Sequence, residues 1–104
     1  MYRVEITDRA RGDADAAHAW MTENISRAFA DQWFQGLIQQ IETLQHHPAR
    51  CPVARESDRF SENIHELVYG KGRHKHKYRI LYAIRDEVVA VLFVHHTARK
   101  EVEP

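Results

Sequence analysis

The residues able to do chemistry gather late in this chain. Between Tyr69 and Lys100 stand Lys71, Arg73, Lys75, Lys77, Arg79, Arg85, Arg99 and Lys100, opposed only by Asp86 and Glu87. The protein as a whole is formally neutral, so this surplus of six positive charges is local. Such segregation points to a face made for a polyanion or for an acidic partner. Residues 1–50 carry five basic and seven acidic side chains, which completes the division. Bulk charge cannot hold nucleic acid tightly here, and any such binding must come from the patch.

Within that stretch, Arg79 and Arg85 fall on the strand face opposite Tyr78, Tyr82 and Ile84, where their guanidinium groups could converge with other cations on a phosphate. Arg99 and Lys100 follow the last strand and fold back beside Arg79 if the two strands pair. Lys71, Arg73, Lys75 and Lys77 lie upstream on a loop or strand edge, where a row of lysines can equally guard an edge against aggregation. Of His95 and His96 only one can share the basic face, because adjacent strand residues point opposite ways. The histidine on that face could move protons near neutral pH. His74 and His76 share a face but stand among cations without a carboxylate or thiolate, so no metal site is expected. Glu66 reads as a solvated strand position, and Trp20, Phe29, Trp33 and Phe34 read as core at helical spacing.

These residues need a frame. Tyr2, Val4 and Ile6 alternate with polar neighbours and predict a strand. Thr7 and Asp8 supply helix-start chemistry, and Ala10, Ala14, Ala17 and Met21 form the face of a first helix ending near Asn24. Ser26 can cap a second helix with the stripe Phe29, Ala30, Trp33, Leu37, Ile41 and Leu44, stopped by Pro48. Residues 47–62 lack periodicity and read as loop. Strands follow at 64–69, at 78–85 and, after a tight Asp86-Glu87 connection, at 88–94, the last apolar on both faces as a central strand should be. The order β-α-α-β-β-β describes an α+β fold: a helical hairpin packed on one face of a mainly antiparallel four-stranded sheet, the other face partly open.

The 104 residues suit a single domain spanning 1–104. No apolar run approaches the roughly 18–20 residues of a membrane span. The N-terminus lacks signal-peptide architecture, and the single Cys51 excludes an intrachain disulfide, which together predict a cytoplasmic protein with no membrane partner. No phosphate loop, dinucleotide fingerprint or nucleophile elbow is present, so no cofactor is expected.

The ending Tyr78-Arg-Ile-Leu-Tyr82, Val88 to Val94 and His95-His-Thr-Ala-Arg99 resembles that of the RelE/ParE superfamily of toxins from type II toxin–antitoxin modules, often labelled plasmid stabilisation proteins. Leu44 through Pro48 is similar to the family's close of the second helix, and Glu66 to Gly70 to its second strand. The resemblance implies a toxin neutralised by a cognate antitoxin and meeting operator DNA only through it. A ParE-like member would inhibit DNA gyrase. A RelE-like member would instead be a metal-independent endoribonuclease cleaving mRNA on the ribosome, with basic residues on the scissile phosphate and a base assisting attack by the 2′-hydroxyl. On that resemblance Arg79 matches the strand arginine that RelE-like enzymes use on phosphate, Arg99 the arginine after the last strand and His96 the motif histidine, while Thr97 stands where glycine is usual. RelE-like enzymes often carry a C-terminal extension with an aromatic or acid/base residue, whereas this sequence ends at Pro104. The paired helices, the Tyr78–Tyr82 strand and that short ending favour the ParE-like reading, while the basic density between 71 and 79 favours the nuclease.

Overall fold

The structure, a computed structural model, describes residues 1–70, 76–99 and 101–104. Lys71, Arg73, His74, Lys75 and Lys100 of the basic stretch lie outside the described residues. The elements run β1 (Arg3–Ile6), α1 (Asp8–Asn24), α2 (Arg27–Glu42), β2 (His65–Tyr69), β3 (Tyr78–Arg85) and β4 (Val88–His96), with short 3-10 turns at Thr43–Gln45, Pro48–Arg50 and Ser57–Arg59. The expected α+β order is the observed one.

Both helix starts follow from their caps. The Thr7 hydroxyl accepts from the Ala10 amide at 3.3 Å and donates to the Val91 carbonyl at 2.8 Å, tying α1 to β4. Ser26 accepts from the Phe29 amide at 3.0 Å. The sheet order is β1-β4-β3-β2. β1 runs parallel to β4, and the β2–β3 and β3–β4 pairs are antiparallel. The apolar β4 is therefore central, as its two-faced hydrophobicity requires.

Small side chains let α1 lie close. Ala10, Ala14, Ala17 and Met21 meet α2 residues Trp33, Leu37 and Ile41 above strand residues Ile80, Tyr82, Val89 and Val91. Gly36 has a similar purpose on α2. The Tyr69 hydroxyl crosses over it to donate to the Trp33 carbonyl at 2.9 Å, and a Cβ there would lie 2.1 Å from that oxygen. Buried in this same core, the Tyr82 hydroxyl donates to the Pro48 carbonyl at 2.5 Å and fastens the loop after α2.

The far face of the sheet is not open. Leu81, Ala83 and Phe93 form a second core with Ile64, Ala54 and Val102, so the segment before β2 and the chain after β4 cover it. A register shift explains how both cores are served. Leu81 pairs with Phe93 but Tyr82 with Val91, leaving Leu92 as an extra residue. This bulge reverses the parity of β4: Val89 and Val91 face the helices before it, Val94 after it.

Candidate functional site

The bulge also settles the two histidines. His96 lies opposite Tyr78 on the helix side, with ring centroids 5.0 Å apart, and His95 pairs with Arg79 on the far side. The amide of Ala98 donates to His96 Nδ1 at 3.0 Å, so that nitrogen carries a lone pair and the ring hydrogen belongs on Nε2. The backbone beyond is pinned by Thr97 N–H to the Lys77 carbonyl (3.1 Å) and Arg99 N–H to the His96 carbonyl (3.0 Å). Arg99 is exposed on this turn.

Arg79 is somewhere else. It sits on the far face, 2 % exposed, with Nη1 and Nη2 on the two carboxylate oxygens of Glu56 (2.7 and 2.5 Å) and Nε on Glu66 (2.6 Å). The expectations that Arg79 faces an accessible phosphate surface, that Arg99 folds back beside it, and that Glu66 is merely solvated are all overturned. The reason is packing: Glu56 comes from the aperiodic loop, is itself fully buried, and also accepts from the Val102 amide at 3.2 Å. Burial pushes the Glu56 carboxyl up, but the Arg79 hydrogen bonds and backbone N–H groups outweigh it and hold it at about 2. Arg85 is likewise engaged, with Nη2 2.6 Å from Glu62. That hydrogen bond lowers the Glu62 carboxyl and raises the Arg85 guanidinium. Two charges of the basic stretch are thus neutralised by acids upstream of it.

What the structure brings together around His96 and Arg99 is a cleft of about 500 Å³ between α1 and the ends of β3 and β4. Arg9, Asp13, Ala16 and Trp20 recur on α1 at spacings of four, three and four, so one helical face supplies one wall. Tyr78, Val94 and His96 supply the other. Asp13 accepts the amide of Val94 at 3.1 Å, where β4 has run past the end of β1, and binds Arg9 at 3.0 Å. Burial pushes the Tyr78 hydroxyl up while the Arg99 charge partly opposes it. His76 joins at the rim against Trp20 (6.2 Å) and Phe29 (5.3 Å). Lys77 is half-buried beside this segment, and its side chain crowds Gly70.

Trp20 is the main departure from the sequence reading. It is 51 % exposed rather than core, whereas Trp33 is buried. The signal that could have found the wall was its spacing on α1, one step round the helix from the alanine stripe. Chemically the cleft offers an aromatic and small-residue surface, an imidazole and an exposed guanidinium. Among the described residues it holds no second arginine free of a carboxylate. That is a surface for gripping an acidic, partly apolar group more than for stabilising a pentavalent phosphate, which needs convergent cations.

No curated protein matches the sequence. Among solved structures, one described as "Chromosomal ParDE TA system from P. aeruginosa" is similar at a TM-score of 0.72 and 18% identity, covering 92% of this chain and 96% of that one. At that identity the likeness speaks for the fold. The model of the family described as "ParE toxin of type II toxin-antitoxin system, parDE" matches residues 4–101, nearly the whole sequence. The chain therefore belongs to the ParE toxin family of type II toxin–antitoxin systems.

Proposed function

We propose that this toxin acts in the cytoplasm as one domain, inhibits DNA gyrase, and is neutralised by a cognate antitoxin through which alone it meets operator DNA. The observation that carries the reading is the confinement of Arg79 between Glu56 and Glu66. A nuclease of the RelE-like kind would need that arginine on the scissile phosphate. Here its donors are spent on carboxylates, and releasing it would strand the fully buried Glu56. Family membership supports the same side. The role of the cations Lys71, Arg73, Lys75, Lys77, Arg85 and Lys100 would then be to meet an acidic protein surface, with Arg85 already shared with Glu62.

The test separates the two targets. Toxin freed from its antitoxin should block supercoiling by purified gyrase and leave mRNA intact in a translating extract. Unimpaired supercoiling together with translation-dependent mRNA cleavage would overturn the proposal and return His96 and Arg99 to a catalytic role.

A further inference from the structure

Arg99 differs from the other described arginines. Arg3, Arg9, Arg11, Arg27, Arg55, Arg59, Arg79 and Arg85 each have a carboxylate within ion-pair distance. Arg50 donates to the carbonyls of Thr43, His46 and His47 behind α2. Among the described residues the Arg99 guanidinium has neither kind of partner, although its backbone is pinned to His96. Against this consistent pairing of the other described arginines, Arg99 is exposed at the mouth of a cleft. Across that cleft stands Trp20, half-exposed on a helix whose neighbouring positions, Ala16 and Ala17, are small.

We propose that this cleft seats a two-residue anchor of the cognate antitoxin, a carboxylate on Arg99 beside a bulky apolar side chain against Trp20, Ala16 and Ala17. The inference rests on the reading of the chain as an antitoxin-neutralised toxin and adds where and by what chemistry the antitoxin is held. A carboxylate fits a lone guanidinium because two parallel hydrogen bonds satisfy it. A nucleic-acid backbone fits less well: it needs several cations, and here Arg9 is engaged by Asp13, whose own carboxylate lines the wall. Trp20 supplies an exposed aromatic surface that the partner would desolvate, the kind of contact on which binding energy concentrates, and the alanines leave room for the partner's side chain.

The experiment uses this toxin and its cognate antitoxin, with affinity measured by calorimetry at two salt concentrations. Arg99→Glu and Trp20→Ala should each weaken binding about 10- to 100-fold. Arg99→Glu should also flatten the salt dependence, because the pair it removes is screened by ions. Arg99→Lys should lose less, and Arg3→Glu, at the far end of β4 from the cleft, should bind as wild type. An acid-to-lysine change in the antitoxin that restores affinity to Arg99→Glu, but not to Trp20→Ala, would identify the paired carboxylate. Wild-type affinity in both cleft variants, with unchanged circular dichroism, overturns the proposal while leaving the toxin–antitoxin reading intact. A wild-type toxin that does not bind the antitoxin overturns both. Competition by a single-stranded oligonucleotide that depends on Arg99, with antitoxin binding unaffected by Arg99→Glu, overturns it in favour of nucleic acid.

Discussion

Replacing Glu56 by glutamine tests the account of the far face most directly. Glu56 is fully buried, spans both terminal nitrogens of Arg79, and has its carboxyl held at about 2 instead of the ordinary 4.5. A folded-state value below the unfolded one means that the charged form stabilises the fold. That contribution is complete above about pH 4.5 and is lost as pH falls toward 2. A gap of this size corresponds to about 3 kcal/mol in full, of which about 2 kcal/mol disappears between pH 6 and pH 3. Glu56→Gln keeps the shape and removes the charge. Urea unfolding should therefore find the variant about 3 kcal/mol less stable than wild type at pH 6, with the difference shrinking to about 1 kcal/mol at pH 3. Acids elsewhere titrate in both proteins and largely cancel from the comparison. A stability difference that stays constant over that pH range would refute the reasoning, since it would mean that the loss comes from setting an amide donor against the Arg79 donors and not from the carboxylate charge.

Gly36→Ala should cost about 1–3 kcal/mol in urea unfolding, despite alanine's higher helix propensity, because its methyl displaces the Tyr69 hydroxyl. Adding Tyr69→Phe should recover part of that loss, and a Gly36→Ala protein more stable than wild type would contradict the close approach. Tyr82→Phe leaves the Pro48 carbonyl without its donor in the core and should lower stability by about 1–3 kcal/mol, without changing the urea m-value. Thr7→Ala removes a cap and a tie to β4 together, whereas Ser26→Ala removes a cap alone at about 1 kcal/mol. Thermal midpoints should therefore fall further for Thr7→Ala, and equal shifts would count against the tie.

Much of the fold was legible because it is periodic. The alternation around Val4, the alanine face of α1, the apolar face of α2 and the two-faced β4 each state a local environment in their spacing. The unpredicted features all depend on residues far apart in sequence. Arg79 reads as a surface cation until Glu56, 23 positions earlier in an aperiodic loop, is seen to fold over it. The far core needs Val102, a lone valine in a charged tail, whose burial no spacing announces. The choice between His95 and His96 turns on one extra residue at Leu92, and a bulge in a uniformly apolar strand leaves no compositional mark. Trp20 escapes for a related reason: an aromatic residue beside a core stripe can turn either way, and only the neighbouring stripe through Arg9 and Asp13 marks the direction it takes. His96 and Arg99 line one cleft, whereas Arg79, grouped with them by the motif, lies buried against Glu56 on the far face.

The pairing of the first strand with the last has a consequence during synthesis. Thr7 bonds Val91, and β1 has a single neighbour in the sheet, β4. At about 5–20 residues per second the ribosome takes roughly 4–17 s to add the intervening stretch. Until β4 leaves the exit tunnel, β1 has no partner and the alanine face of α1 has no sheet to lie on. This part of the newborn chain should thus stay unfinished until β4 has emerged, then close in one late step that joins β1 to β4. Ribosome-bound chains stalled before Val88 has emerged should show no protease protection of residues 1–24. Early protection there would mean that the helical hairpin holds the N-terminus by itself.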